Sequence, residues 1–176
     1  GVRRFTGNLV ADGSFFDGAY YNSAWGTQNA SQYYAPQIAG LSLAPNADFD
    51  AGTVIVTAYP TRSGAAARIT VTPASDASYV RIVNKVKTGR SSSVGVARTL
   101  GTNTITVTGS VATSASGGSR RWVAVHRPDL YAATVFRAQL AAVGISVAGR
   151  TIAGVTPTAG RVIVATDTSQ TIGELM

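Results

Sequence analysis

Lys87-Thr88-Gly89 is the triplet in this chain with the strongest chemical connotation. On a strand edging a cleft, such a triplet offers an ammonium to a substrate carboxylate and a backbone with which an extended peptide can pair. That arrangement serves acyl transfer only beside a nucleophile. The serine–lysine form of the chemistry needs a serine one helical turn before a lysine, so that the amine assists loss of the hydroxyl proton. The lysines are Lys85 and Lys87, and the residues three positions before them are Ile82 and Asn84, so Ser-x-x-Lys is absent. Ser-x-Asn is absent too, Tyr20-Tyr21-Asn22 being its nearest approximation. Lys87, Thr88 and Gly89 are therefore expected to be non-catalytic. They read as the end of a strand with Thr88-Gly89 as a turn, and Arg81, Lys85 and Lys87 alternate toward one face.

Other chemistries find fewer residues still. His126 is the single histidine, no Gly-x-Ser-x-Gly elbow accompanies it, and it reads as a strand-end residue. With one His, no Cys and scattered carboxylates, a transition-metal site is not expected. Asn46-Ala47-Asp48-Phe49-Asp50 opens like a calcium loop, yet no bidentate Glu closes it, and a plain turn is expected. No phosphate-cradling glycine pattern occurs, and no cofactor is expected. Tyr20, Tyr21, Trp25, Tyr33 and Tyr34 lie in one long loop, where they could stack on a sugar or a base or pin the loop to its own domain.

Thirteen Arg and two Lys against seven Asp and one Glu give a formal net charge of +7 and a pI near 10.3. In sign that balance suits an anionic partner, whether nucleic acid, an anionic wall polymer or a lipid surface; the basic residues are dispersed along the sequence, so a solvated basic surface is expected and nucleic acid is not. No run of about 18 apolar residues exists to span a membrane. Gly1-Val2-Arg3-Arg4-Phe5 lacks the apolar core of a signal peptide, so if the parent is exported its signal is expected upstream.

The elements that must position these residues are mostly short strands. The 176 residues combine 19 glycines with many Val, Thr and Ser, and only 13% are charged. Leu9–Ala11 reads as a buried strand ended by Asp12-Gly13, and 38–43 as a further strand. Thr53–Tyr59 is rich in β-branched residues and stops at Pro60. Alternating strands follow at 68–72, 79–86, 94–98 and 104–111, and their spacing predicts an antiparallel sandwich or barrel over about 50–112. After the connector at 113–119 comes a strand at 121–125. A helix then opens at Pro128 with an apolar stripe of Ala132, Val135, Phe136, Leu140 and Val143, and closes before Gly144. Strands at 145–147 and 161–165, and a last helix with a Thr171-x-x-Glu174 capping box, complete the expectation.

Several stretches, in this order, resemble one family. Gly7 to Gly18, Trp25, Tyr33-Tyr34-Ala35-Pro36, Val83-Asn84, Thr88-Gly89, Asn103 to Gly109 and Pro128 to Ile145 are similar to the insert of the D-alanyl-D-alanine carboxypeptidase/endopeptidase family, the class C low-molecular-mass penicillin-binding proteins. The resemblance implies a mixed, β-rich α/β fold: an α/β domain at 1–49 and 113–165 with a nested antiparallel all-β sandwich or barrel at 50–112, and 166–176 leading into a missing catalytic domain. It further implies that the parent is an exported serine hydrolase of the bacterial cell envelope, and that this chain alone is inactive. The missing catalytic domain would be its partner, and peptidoglycan or an anionic wall polymer a second one. Arg127-Pro128-Asp129 departs from the Asp-Pro usual before the helix, and Ser169-Gln170 from the usual Ser-Pro. The alternative is a free-standing basic module that binds a glycan, wall polymer or nucleic acid.

Overall fold

The computed structural model describes residues 1–16, 19–22, 24–74, 79–168 and 172–175. In chain order these form β1 (Arg4–Phe5), β2 (Leu9–Ala11), a 3-10 turn (Thr27–Asn29), β3 (Thr53–Tyr59), β4 (Arg68–Thr72), β5 (Arg81–Gly89) and β6 (Ser93–Arg98). Then come β7 (Thr104–Ala112), β8 (Ser119–Ala124), α1 (Pro128–Ala142), β9 (Ser146–Val147), β10 (Thr151–Ala153) and α2 (Ile172–Leu175). The expected class holds: the fold is mixed and β-rich.

β3 is the spine of the larger part. Its β-branched residues pair antiparallel with β4 on one side and β8 on the other, and Thr53 to Ala58 are all buried. A second three-stranded sheet has the order β5-β7-β6. Val54, Val56 and Ala58 of the first sheet meet Val86, Ile105, Val107 and Val111 of the second, and Tyr131 of α1 joins them in one core. Alternation sends these side chains inward, and along β5 it sends Arg81, Lys85 and Lys87 outward.

The two sheets are joined differently along their two borders. On one, the segment before β4 bonds to β5: Ala67 N–H donates to the Val86 carbonyl at 2.9 Å, and Thr88 N–H to that of Ala65 at 2.8 Å. On the other, β6 and β8 are bridged by side chains. Arg121 Nε donates to the Val94 carbonyl at 2.7 Å, and Arg98 Nε to that of Ala124 at 2.6 Å. No closed barrel forms among the described residues. β5 and β7 also run parallel, which corrects the expected all-antiparallel pairing. The reason is topological: β6 forms an antiparallel hairpin with β7, and β5 then adds to the other edge of β7. β8, beyond the 113–119 connector, completes the sheet of β3, so hydrogen bonding carries the β-rich unit through 53–124.

The smaller part is a parallel pairing of the first strands with the last. β1 pairs with β9 and β2 with β10, and Gly149 N–H donates to the Gly7 carbonyl at 3.0 Å between them. Helix α1 supplies the crossover that parallel strands require. Pro128 occupies its first turn, and Gly144, at φ +81°, takes the left-handed position just past its end.

Four expectations are corrected. The segment 38–43 is not a strand: its backbone bonds go to separate places, Ile38 N–H to Tyr20 and Gly40 N–H to Gly13. The segment 161–165 forms no strand and pairs with none among the described residues, leaving Val162, Ile163 and Val164 exposed. Leu9–Ala11 is a strand, but only Ala11 is fully buried, because little packs over this narrow ribbon. On α1, burial covers Tyr131 to Val135 in the first turns, whereas Phe136 and Val143 are 55% and 72% exposed. The predicted stripe therefore outruns the surface available to it. Of the capping box, Glu174 lies in α2, and Thr171 falls outside the described residues, as do Asp17-Gly18 and Ser169-Gln170.

Candidate functional site

The triplet Lys87-Thr88-Gly89 closes β5, so Thr88-Gly89 is paired strand and not the expected turn. Lys87 is exposed, and Thr88 is 2% exposed. The Thr88 hydroxyl oxygen accepts from Thr61 N–H at 2.9 Å and lies 3.2 Å from the Thr61 hydroxyl, which itself donates to the Ala66 carbonyl. Both backbone edges of β5 are occupied here. The N–H and C=O of Thr88 bond to Ala65 and Gly64, while the other edge pairs with β7, Thr88 opposite Val111 and Gly89 opposite Ala112. An extended substrate has no free edge to join at this point. Arg81 and Lys85 are exposed with Lys87, on the face that alternation assigns them.

His126 stands just beyond β8 and is half-buried. Its N–H donates to Asn103 Oδ1 at 2.7 Å, and its carbonyl accepts from Asn103 Nδ2 at 2.9 Å and Tyr79 Oη at 3.1 Å. Burial, then the Arg98 and Arg127 charges, push its imidazole below the usual histidine range. Among the described residues no serine or carboxylate is hydrogen-bonded to its ring, so no triad is assembled. Nor do His, Asp and Glu gather into a metal-binding group among those residues. In the calcium-like loop, Asn46 and Asp48 bond to each other, Nδ2 to Oδ2 at 2.6 Å, which is turn chemistry.

The residues that do converge lie at the start of α1. Arg127 and Asp129 form a two-pronged ion pair, Nε to Oδ1 at 2.9 Å and Nη2 to Oδ2 at 2.6 Å, with the Asp129 side chain 3% exposed. Arg127 N–H donates to Gln37 Oε1 at 2.6 Å, Tyr79 Oη donates to the Arg127 carbonyl at 2.7 Å, and the guanidinium lies 5.2 Å from the centre of the Tyr20 ring. Burial alone would raise the Asp129 carboxyl, but the Arg127 hydrogen bonds, the Leu130 N–H and the Arg127 charge together hold it below its ordinary value. Burial, reinforced by the Asp129 charge, pushes the Tyr79 and Tyr20 phenols up. Each partner comes from a different part of the chain, so this cluster is a joint. Among the described residues it brings together no serine, threonine, cysteine or lysine side chain.

The aromatic loop divides. Tyr20 is tied to the joint, and Tyr21 Oη accepts from Arg98 Nη2 at 3.5 Å, so both pin the loop. Trp25, Tyr33 and Tyr34 are exposed at 49%, 49% and 62%, and Trp25 and Tyr34 line a shallow hollow with Asn29. Sequence reasoning missed Arg98. It is 6% exposed and bonds to the carbonyls of Ala124, Thr102 and Ala30. The signal was present in β6, where alternation places Arg98 on the inward face with Val94 and Val96.

The fold defines the class first. Over 92% of this chain and 34% of the other, the structure superposes on penicillin binding protein 4 (dacB) from Haemophilus influenzae with a TM-score of 0.63 at 18% identity. The two share a fold. The sequence then narrows the class to a family: residues 1–176 match the D-Ala-D-Ala carboxypeptidase 3 (S13) family, and the chain belongs to it. A D-alanyl-D-alanine carboxypeptidase of Actinomadura sp. (strain R39) is 31% identical over 152 residues, 85% of this chain and 28% of that protein. The chain thus spans less than a third of the length of this relative.

Proposed function

We propose that this chain is the non-catalytic inserted portion of a peptidoglycan-processing serine D-Ala-D-Ala carboxypeptidase, a penicillin-binding protein of the bacterial cell envelope, and that it positions the catalytic domain. The observation that carries the reading is a family match along all 176 residues in a chain without Ser-x-x-Lys or Ser-x-Asn. The Lys87-Thr88-Gly89 backbone, paired on both edges, supports its exclusion from the catalytic machinery. The whole protein would be exported and would release terminal D-alanine through an acyl-serine intermediate.

Within this reading the chain divides into an α/β part, built on the pairing of 3–11 with 146–154, and a β-rich part inserted between the two halves of that pairing. Phe136 and Val143 on α1, with Val162 to Val164 beyond it, leave apolar surface that suits packing against a further domain. Incubation of the chain with a fluorescent penicillin is expected to give no covalent adduct by gel and intact mass, and an acylated serine would overturn the proposal. In the whole protein, Lys87→Ala is expected to leave the acylation rate within about twofold of the parent, as surface changes away from the chemistry do. A loss of about a hundredfold or more would return the triplet to the active site.

A further inference from the structure

Between Asp76 and Asp129 the sequence contains no Asp or Glu, yet it carries eight of the fifteen basic residues: Arg81, Lys85, Lys87, Arg90, Arg98, Arg120, Arg121 and Arg127. Dispersed in sequence, three of them converge on the outer face of the β5-β7-β6 sheet. Alternation along β5 presents Arg81, Val83, Lys85 and Lys87 on that face, and all three cations are exposed. The parallel register sets Arg81 beside Thr104, Val83 beside Thr106, Lys85 beside Thr108 and Lys87 beside Ser110. On the far side of β7, the residues facing Thr106, Thr108 and Ser110 are Ala97, Gly95 and Ser93. Thr108 Oγ1 lies over Gly95, where an added Cβ would come within 3.1 Å of it. The face is therefore flat, with a row of cations along one side and a row of hydroxyls along its middle. Among the described residues it contains no acid and no aromatic ring.

We infer that this face is a docking surface for a linear phosphodiester-linked polyol, the chemistry of an anionic wall polymer. A cation two residues on along a strand is displaced by about 6.6 Å, so Lys85 and Lys87 meet neighbouring phosphates of an extended chain and Arg81 meets one about 13 Å further along. Thr104 and Thr106 are half-buried and Thr108 is exposed, and among the described residues their hydroxyls have no protein partner, so they can bond to phosphate oxygens or polyol hydroxyls. Single-stranded nucleic acid fits less well, because a sheet that binds it offers aromatic platforms for base stacking. The inference stands apart from the family reading, since it needs only this face and its charge.

The test is titration of the chain with poly(glycerol phosphate) and with single-stranded DNA at matched phosphate, over a series of salt concentrations. The chain should bind poly(glycerol phosphate) in preference to DNA. R81Q/K85Q/K87Q should weaken that binding by about tenfold or more and make the slope of log K against log salt shallower by about 2. R3Q/R4Q/R161Q removes the same charge from exposed positions elsewhere and should cost less than about twofold. T104A/T106A/T108A keeps every charge and should still weaken binding by about threefold or more. Equal losses in the two charge variants would overturn the inference, as would DNA binding at least as tightly, an unchanged affinity in the hydroxyl variant, or no binding at low salt.

Discussion

Arg127 holds a backbone that its own chemistry disfavours. At φ +57° and ψ +69° it is left-handed without being glycine, a conformation costing on the order of 1–2 kcal/mol. Contacts to Gln37, Tyr79 and Asp129 hold it there. The departure from Asp-Pro at this point is thus offset. The acid one residue after the proline reaches back to the guanidinium and sits in the first turn, where the helix dipole favours it. Asp129→Asn keeps the volume and removes the charge. Since the Asp129 side chain is buried while that of Arg127 is 27% exposed, we expect a loss of about 2–3 kcal/mol, below the full cost of breaking a buried pair. Folding lowers the Asp129 carboxyl, so its contribution is present above the unfolded value of about 3.9 and is lost as pH falls through the folded one. Urea midpoints should therefore be level above about pH 7 and begin to fall below about pH 6.5, where the half-buried His126 takes up its proton less readily in the folded state. They should fall further below about pH 4, the part of the drop that D129N should reduce. That variant should still drop, because Ser14 and the Thr156 N–H also hold the Asp12 carboxylate well below its usual range. A D129N midpoint equal to that of the parent at pH 7 would refute the assignment of this pair as a structural joint.

The same lesson holds for β6 and β8, whose facing edges have no ladder between them. Arg98 reaches across from the inward face of β6 to the Ala124 carbonyl on β8 and to that of Ala30 in the aromatic loop. Arg98→Met would fill much of the space while leaving these acceptors unpaired in a dry site. We expect about 3 kcal/mol or more of destabilisation by urea unfolding. Arg98→Lys should recover less than half of it, since an ammonium lacks the planar fork that serves several carbonyls at once. A loss below about 1 kcal/mol would mean that the border is held by packing alone. Elements of this kind mark where the sequence could be read. Strands 53–59 and 68–72 were legible to the residue, because β-branched runs stop at Pro60 and Pro73 and both strands have partners. R-V-I-V-A at 161–165 carries the same local signal and forms no strand, because pairing is a property of neighbours. The parallel register of β5 on β7 was hidden for the same reason, since alternation fixes which face a residue takes and says nothing of strand direction. For the site, the absence of a nucleophile was readable from spacing alone. The Arg127 joint was not, because Tyr20, Gln37 and Tyr79 meet it only through the fold.

At the scale of the molecule, the two parts differ in what holds them. The β-rich part encloses a core from both sheets, with Val54, Ile105, Val107, Val111, Val123 and Val125 all fully buried. The α/β part relies on a ribbon of two- and three-residue parallel strands, with Phe5 and Val10 40% and 46% exposed beside them and the last turns of α1 uncovered. Ladders this short bury too little apolar area to resist local opening, even though they join the two ends of the chain. Hydrogen exchange should accordingly fall into two tiers. Amides of β3, β7 and β8 should exchange only through global unfolding, whereas those of β1, β2, β9 and β10 should open at a cost lower by several kcal/mol, the span expected between core and peripheral elements. The joint sets the limit of that opening. Gln37, Arg127 and Tyr79 tie the start of α1 to the β-rich part, so protection along α1 should fall off from Tyr131 toward Ala142, and D129N should erase the difference between its two ends. Uniform protection across both parts would mean that the ribbon and the core unfold as a single unit. If the two tiers are found, docking another domain onto the exposed apolar face of α1 and the ribbon should raise the lower tier and leave the upper one unchanged, because only the ribbon has stability to gain from added burial.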